Sequence, residues 1–250
     1  MTYIGTTDVM LEIAKGNISG HSQINKFGAN MSSTAGTKLE IWDGGAVYSY
    51  PATALMTSIS QTTDQVAMRS AVIEVQGLDA NWDAVTQNAT LDATLTTTVV
   101  TLTTPLIRVF RMKVLADVVS TSPIRVHNAG ETQDYAIIST GNNQTLMALY
   151  TVPNGKTAYL VDYYGDVLED VVAGKDPDST LFELWVADRA NSYEFQLKHQ
   201  RGIPKGVPGF VQPFTPYMKI TQKSDIKMTS LCAARAGDLH AGFNLILVDN

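Results

Sequence analysis

The sequence predicts an all-β protein, a jelly-roll-like β-sandwich preceded by a short N-terminal helix and an irregular arm. From residue 59 onward, short runs of alternating apolar and polar residues recur, separated by Gly, Pro, Asn and Asp. These runs are rich in Thr and Val, whose β-branched side chains favour strands. The first fifty-odd residues have no comparable period. We therefore predict an attachment arm over residues 1–58 and a β-sandwich domain over residues 59–250.

The arm begins with a predicted helix. Apolar residues between Asp8 and Lys15 fall at helical spacing, Thr7 or Asp8 is available as N-cap, and Gly16 can end the helix. The pattern indicates about two turns.

The rest of the arm carries apolar and aromatic anchors without regular spacing. A segment of this kind needs a neighbouring surface to hold it. We predict that it docks either on another subunit or on the chain's own β domain. The candidate interaction residues are Ile24, Phe27, Ile41, Trp42, Tyr48 and Tyr50.

The β domain opens with a predicted hairpin of residues 70–76 and 85–91, joined by the turn Asp79–Asp83. A second hairpin is predicted around Pro153–Lys156, because this turn offers Pro at its second position and Gly where positive φ is needed. An acidic loop over 166–180 and an irregular, Pro-rich crossing over 202–216 are also expected. Further strands are predicted at residues 94–104, 106–116, 124–127, 135–138, 145–152, 157–165, 181–188, 193–200, 226–231 and 240–248.

Composition excludes several classes of function. Charged residues make up only 17% of the chain and the formal net charge is −6, which disfavours binding to nucleic acid. We expect no signal peptide and no membrane span, because neither a basic segment followed by an apolar one nor an apolar run of about 18 residues occurs. The single cysteine, Cys232, lies in an alternating run and is predicted to be a buried thiol.

Motifs for catalysis are lacking, so we predict a protein without enzymatic activity, cofactor or metal. The four histidines, His21, His127, His199 and His240, lie in unrelated segments without metal-ligand spacing. The triplet Asp79, Asn81 and Asp83 begins like a calcium loop, but Ala84 and Thr90 stand where Gly and Glu are required. A hairpin turn whose acidic side chains bond their own backbone is the simpler interpretation.

Two carbohydrate functions stay open as alternatives. Carboxylate pairs suited to glycoside cleavage occur in the acidic loop, at Glu169 with Asp170 and at Asp176 with Asp178. Aromatic side chains that suit stacking on sugar rings form a second candidate set, although rings in β-sandwiches usually belong to the core. That set is Trp42, Tyr48, Tyr50, Trp82 and Trp185.

Three regions of the chain carry distinctive blocks of sequence. The first region comprises the segments 20–28 (GHSQINKFG) and 40–45 (EIWDGG). The second comprises 73–79 (IEVQGLD) and 106–111 (LIRVFR), and the third is the segment 241–250 (AGFNLILVDN). Together these blocks resemble a family of virion structural proteins from marine and other environmental tailed bacteriophages. Their order over nearly the whole chain makes the resemblance specific, and it carries over no catalytic residue.

The resemblance implies a structural component of the virion, made in the host cytoplasm. A capsid decoration or head-fibre protein that binds the major capsid protein is one interpretation. A tail-associated adaptor, fibre or receptor-binding protein that contacts tail or neck proteins is the alternative, with a host-surface glycan as a further possible partner. Because an uncovered strand edge invites pairing and phage jelly rolls are commonly trimeric, we also expect a homotrimer.

Overall fold

The computed structural model describes residues 8–31, 33–168, 177–190, 192–207 and 209–250. The predicted all-β sandwich is confirmed, with one short N-terminal helix. That helix, α1 (Val9–Ala14), begins where the Asp8 carboxylate accepts hydrogen bonds from the backbone N–H groups of Met10 and Leu11. The strands are β1 (His21–Asn30), β2 (Lys38–Glu40), β3 (Met56–Gln61), β4 (Val72–Leu78), β5 (Ala84–Thr90), β6 (Val100–Leu106), β7 (Arg108–Val114), β8 (Ile124–His127), β9 (Asp134–Ile138), β10 (Leu149–Thr151), β11 (Lys156–Leu168), β12 (Ser179–Ala187), β13 (Phe195–Pro204), β14 (Gly209–Ile220), β15 (Asp225–Ala233) and β16 (Asp238–Asp249).

The strands divide between two hydrophobic cores. One core draws its buried residues from 42–149 and the other from Ile41 and residues 148–247. We call residues 42–147 the inserted module, and residues 21–41 with 148–249 the outer module. The chain passes between them through two adjacent segments, where Ala148 donates its backbone N–H to the carbonyl of Ile41 and Trp42 pairs with Met147.

The outer module is a sandwich of two antiparallel sheets. One sheet has the strand order β1-β16-β11-β14. The other has the order β10-β15-β12-β13, and its fifth strand, β2, also pairs with β15. All ten residues of β1 pair with β16, from His21 opposite Val248 to Asn30 opposite Leu239. The first and last strands of the chain therefore hold this sheet together.

The inserted module contains the sheets β6-β3-β8-β9 and β5-β4-β7. The predicted first hairpin is confirmed as β4 paired with β5. One gap between the two sheets is bridged by the Gln87 side chain, which donates to the carbonyl of Thr104 (2.8 Å) and accepts from its N–H (2.9 Å). The side chain thereby substitutes for a strand pairing.

The arm differs from its prediction. Residues 21–30 are not irregular, since they form β1, and the proposed boundary at residue 58 falls inside β3. The alternation of apolar and polar residues that predicts a strand is lacking here, because the burial of β1 does not alternate along the strand. Its charged Lys26 and its Gly28 and Asn30 all face protein, so the strand shows no apolar alternation.

Two features of the predicted β domain also differ. The turn Pro153–Lys156 does not close a hairpin, because β10 and β11 belong to opposite sheets of the outer module. Most of residues 202–216 lie in β13 and β14 rather than in an irregular crossing. Both strands end their sheets, a position that tolerates the prolines in β14.

Candidate functional site

The predicted interaction residues lie mainly inside the molecule. Ile41 belongs to the core of the outer module, whereas Trp42 and Tyr48 belong to that of the inserted module. These three side chains therefore dock on the chain's own domains, one of the two alternatives predicted for the arm. Tyr50, Ile24 and Phe27 are partly buried, and Tyr50 and Ile24 pack against the two cores.

The aromatic run after β2 forms a chain of ring contacts. Trp42 meets Tyr48 edge-on at 5.2 Å between centroids, Tyr48 meets Tyr50 at 4.8 Å, and Tyr50 meets Phe195 of the outer module at 5.1 Å. Within the described residues, neither tyrosine hydroxyl has a hydrogen-bond partner. Burial raises the pKa of both tyrosines, so these rings act as apolar packing groups.

The two modules are joined by a buried ion pair between Arg108 of β7 and Asp225 of β15. Arg108 donates from Nε to Asp225 Oδ1 (2.9 Å) and from Nη2 to Oδ2 (2.8 Å), and the side chains are 3% and 0% exposed. The remaining N–H groups of Arg108 reach the carbonyls of Pro51 and Ile107 and the hydroxyl of Tyr193. All five guanidinium donors are satisfied, as a buried arginine requires.

Aromatic rings surround this ion pair. The guanidinium of Arg108 lies 5.2 Å from the Tyr50 ring centroid and 5.0 Å from that of Trp82. Arg189 lies 5.2 Å from the Trp82 centroid and 4.6 Å from that of Tyr193. We call the set Tyr50, Trp82, Arg108, Arg189, Tyr193 and Asp225 the seam cluster. The contact of Arg189 with Trp82 joins the two modules and adds to the cohesion between them.

The Asp79–Asp83 turn serves this junction. Asp79 Oδ1 accepts from the backbone N–H groups of Asn81 (2.8 Å) and Asp83 (3.0 Å), which confirms the interpretation as a self-bonded hairpin turn. Trp82 lies at its tip with φ of 69°, and its carbonyl accepts from the N–H of Asn154 in the outer module (2.8 Å). The turn thus holds Trp82 against the two arginines of the seam cluster.

A second contact between the modules involves Lys26 of β1. Its buried ammonium donates to the carbonyl of Phe110 and lies 5.9 Å from the centroid of that ring. Nearby, Arg111 donates to the carbonyl of Asn25 (2.9 Å). Burial, helped by the charge of Arg111, lowers the pKa of Lys26 well below its usual range.

A polar cleft of about 570 Å³ separates the modules on another side. Its walls include Asn30 and His240 from the outer module and Asp43, Ser139 and Asn142 from the inserted one. Asp43 Oδ2 accepts from the N–H of Leu146 (3.0 Å). Burial disfavours the charged carboxylate more than its hydrogen bonds favour it, and so raises the pKa of Asp43 to about 6.

This shift predicts a pH dependence of stability. Because the folded state holds the proton of Asp43 more tightly than the unfolded state, its contribution favours folding at low pH and is lost as the pH rises from about 4 to about 6. The Asp43→Asn variant has no carboxyl group to lose this proton. Its unfolding free energy should therefore rise relative to that of the natural chain by about 1–3 kcal/mol as the pH increases from about 4 to about 6. Urea unfolding at a series of pH values measures this difference, and a difference independent of pH would contradict it.

Within the described ranges, the histidines belong to no group of side chains able to hold a metal. His127 Nε2 lies 3.0 Å from Ser60 Oγ, but both residues are fully buried between β3 and β8, so no substrate reaches them. The described residues contain no group of three His, Cys, Asp or Glu side chains able to hold a metal. Cys232 is buried, as predicted. The acidic residues Glu169, Asp170 and Asp176 lie outside the described residues. Among the residues that the structure describes, no helix is long and apolar enough to cross a membrane.

Sequence reasoning missed the seam cluster. The local signal was weak, because Arg108 is one of three basic residues in the segment that becomes β7, with Arg111 and Lys113. Its partner Asp225 follows the turn before β15 and resembles an ordinary strand-end acid. A pair separated by 117 positions has no sequence signature.

Comparisons with known proteins add little. No protein-family model and no curated protein matches the chain. One solved structure, that of infectious bursal disease virus strain Gt, aligns with 92% of this chain and 73% of the viral chain at 9% identity and a TM-score of 0.23. At this TM-score the alignment carries no argument about function.

Proposed function

We propose that the chain is a structural component of a tailed-bacteriophage virion, most specifically a capsid decoration or head-fibre protein that binds the major capsid protein. The observation that carries the proposal is how the blocks of resemblance meet in the fold. Residues 21–28 of the first region pair with 241–248 of the third, as β1 with β16. Within the second region, residues 76–78 pair with 108–111, as β4 with β7. This pairing of separate blocks supports a resemblance at the level of architecture.

The same blocks reach the junction between the modules. Lys26 of the first block contacts Phe110 of the second, and Arg108 of the second forms the buried ion pair. Two modules fixed in this way suit a protein that bears load within an assembly.

A homotrimer is part of the proposal. Strands β13 and β14 are the last strands of their sheets, and an uncovered edge has unpaired N–H and C=O groups. Val211 and Tyr217 on β14 and Leu197 on β13 are 68%, 46% and 41% exposed. Burial of these residues between copies would cover both edges, and light scattering should then give three times the monomer mass.

The attachment device is the segment before β1. In α1 only Ile13 is buried, whereas Val9 and Leu11 are 58% and 49% exposed. Apolar residues exposed on so short a helix suit docking against a partner. The strands β1 and β2 and the side chains of Ile41, Trp42 and Tyr48 pack into the two modules, so the proposal gives the attachment role to the segment before β1.

Removal of residues 1–19 tests the attachment. We expect the full chain to cosediment with phage particles or assembled major capsid protein, and the shortened chain to lose at least tenfold in affinity. Val9→Ser/Leu11→Ser should lose affinity too, while Val66→Ser in the inserted module, 72% exposed, serves as an apolar control. Equal cosedimentation of the full and shortened chains would contradict the proposal for this segment, and no binding by the full chain would contradict the head role.

A further inference from the structure

A groove of about 290 Å³ lies on the outward face of the sheet that contains β2, β15, β12 and β13. Trp185 and Phe195 provide two partly buried rings, and the exposed Val47 forms one rim. The remaining lining residues are Lys38, Glu40, Lys227 and Thr229. Ligand pockets of proteins commonly begin at this size and combine aromatic walls with a few polar groups.

The floor of the groove is a row of polar side chains in register. Glu40, Thr229 and Glu183 stand opposite one another on β2, β15 and β12. They are only 3%, 3% and 4% exposed, although they belong to the outward face of the sheet. Burial of charged groups on a solvent side of a sheet requires a built arrangement, since each must keep its hydrogen bonds.

Glu183 holds the indole of Trp185 in place. Trp185 Nε1 donates to Glu183 Oε2 (3.1 Å) and lies 3.0 Å from Thr229 Oγ1, which also donates to Glu183 Oε2 (2.9 Å). The only polar atom of the indole is therefore bound beneath the surface. A ring fixed in this way presents a rigid apolar platform and loses little entropy when a ligand stacks on it.

The charges of the groove cancel. Lys38 pairs with Glu183 (2.7 Å) and Lys227 with Glu40 (2.7 Å), while the ammonium groups lie 4.9 Å from the Trp185 centroid and 4.3 Å from the Phe195 centroid. The groove thus places donors and acceptors beside two aromatic rings, with one ammonium group over a face of each ring, and carries no net charge. Hydroxyl-rich, uncharged ligands need this combination, because their C–H faces stack while their hydroxyls hydrogen-bond.

We propose that this groove binds a neutral saccharide, with Trp185 as the stacking platform and Lys38, Glu40 and Lys227 as hydrogen-bonding groups. Of the aromatic residues considered from sequence, Trp42 and Tyr48 are core, and Trp82 belongs to the seam cluster. Trp185 is the one that lines this groove. The inference does not rest on the virion role, because sugar binding and presence in particles are measured separately.

The test is binding of the full chain to a panel of soluble oligosaccharides and to an array of bacterial surface glycans, measured by calorimetry and by Trp fluorescence. We expect at least one neutral saccharide to bind. Trp185→Ala should weaken that binding at least tenfold, Trp185→Phe several-fold, and Lys38→Glu at least threefold. Lys38 is 43% exposed at its side chain, but Lys38→Glu also removes the partner of the buried Glu183, so its unfolding midpoint is compared with that of the natural chain.

Tyr159→Ala is the matched control, since Tyr159 is a partly exposed aromatic residue on β11 in the other sheet. Its affinity should equal that of the natural chain. Unfolding midpoints identify variants that fail to fold, and Lys38→Glu then decides the outcome. Failure of every saccharide in the panel to bind, or unchanged affinity in both Trp185→Phe and Lys38→Glu, would overturn the proposal.

Discussion

Asp225→Ala is expected to lower the free energy of unfolding by about 3–5 kcal/mol, the usual cost of removing one partner from a buried ion pair. The change leaves the Arg108 guanidinium inside the protein without its two carboxylate acceptors. It also removes the acceptor used by Thr151 and Tyr193. Urea unfolding followed by Trp fluorescence measures the loss.

Replacement of both charges separates the cost of an orphaned charge from the value of the pair. Arg108→Met/Asp225→Leu should be less destabilised than Asp225→Ala, because no unpaired charge stays buried. Lys15→Ala provides the control, since the Lys15–Glu12 pair lies on the surface of α1 and should change stability by less than about 1 kcal/mol. Equal losses from Asp225→Ala and Lys15→Ala would contradict the proposed role of the seam.

Gly28→Ala is expected to destabilise the protein by about 3 kcal/mol, at the upper end for overpacking. A Cβ at Gly28 would lie 2.3 Å from the backbone N of Ala148 and 2.5 Å from the carbonyl oxygen of Ile41. Both atoms belong to the crossing between the modules, so relief requires movement of main chain. Far-UV circular dichroism during urea unfolding measures the effect.

Gly202→Ala is the control for this substitution. Gly202 also lies in a strand, β13, but a Cβ there meets nothing within 4 Å. Its stability should change by less than about 1 kcal/mol, with a gain expected from the lower entropy of the unfolded chain. Similar losses at Gly28 and Gly202 would show that the close approach of β1 to the crossing is unimportant.

The elements that the sequence predicted well have local signals. Asp8 caps α1, and the β4–β5 hairpin follows from alternation flanking a turn that bonds to its own side chain. The elements that it missed depend on long-range partners. The strand β1 exists because β16, more than 200 positions later, pairs with it, and its buried Lys26 disguises the pattern.

The candidate sites followed the same rule. Trp42 and Tyr48 are predicted as docking residues because their segment has no period, and the structure shows that they dock on the chain's own inserted module after the crossing from β2. The groove at Trp185 needs β2 to add next to β15, a pairing of residues 38–40 with 229–231 that no local pattern indicates. Aromatic residues in a sequence fit either a binding surface or a hydrophobic core, and the strand topology determines which of the two they form.

Quantitative mass spectrometry of purified virions, with peptides of this chain measured against those of the major capsid protein, tests the central claim most directly. The decoration role predicts a copy ratio near parity. A few copies per particle would replace it with the tail-associated alternative. Absence of the chain from purified virions would contradict the structural role altogether.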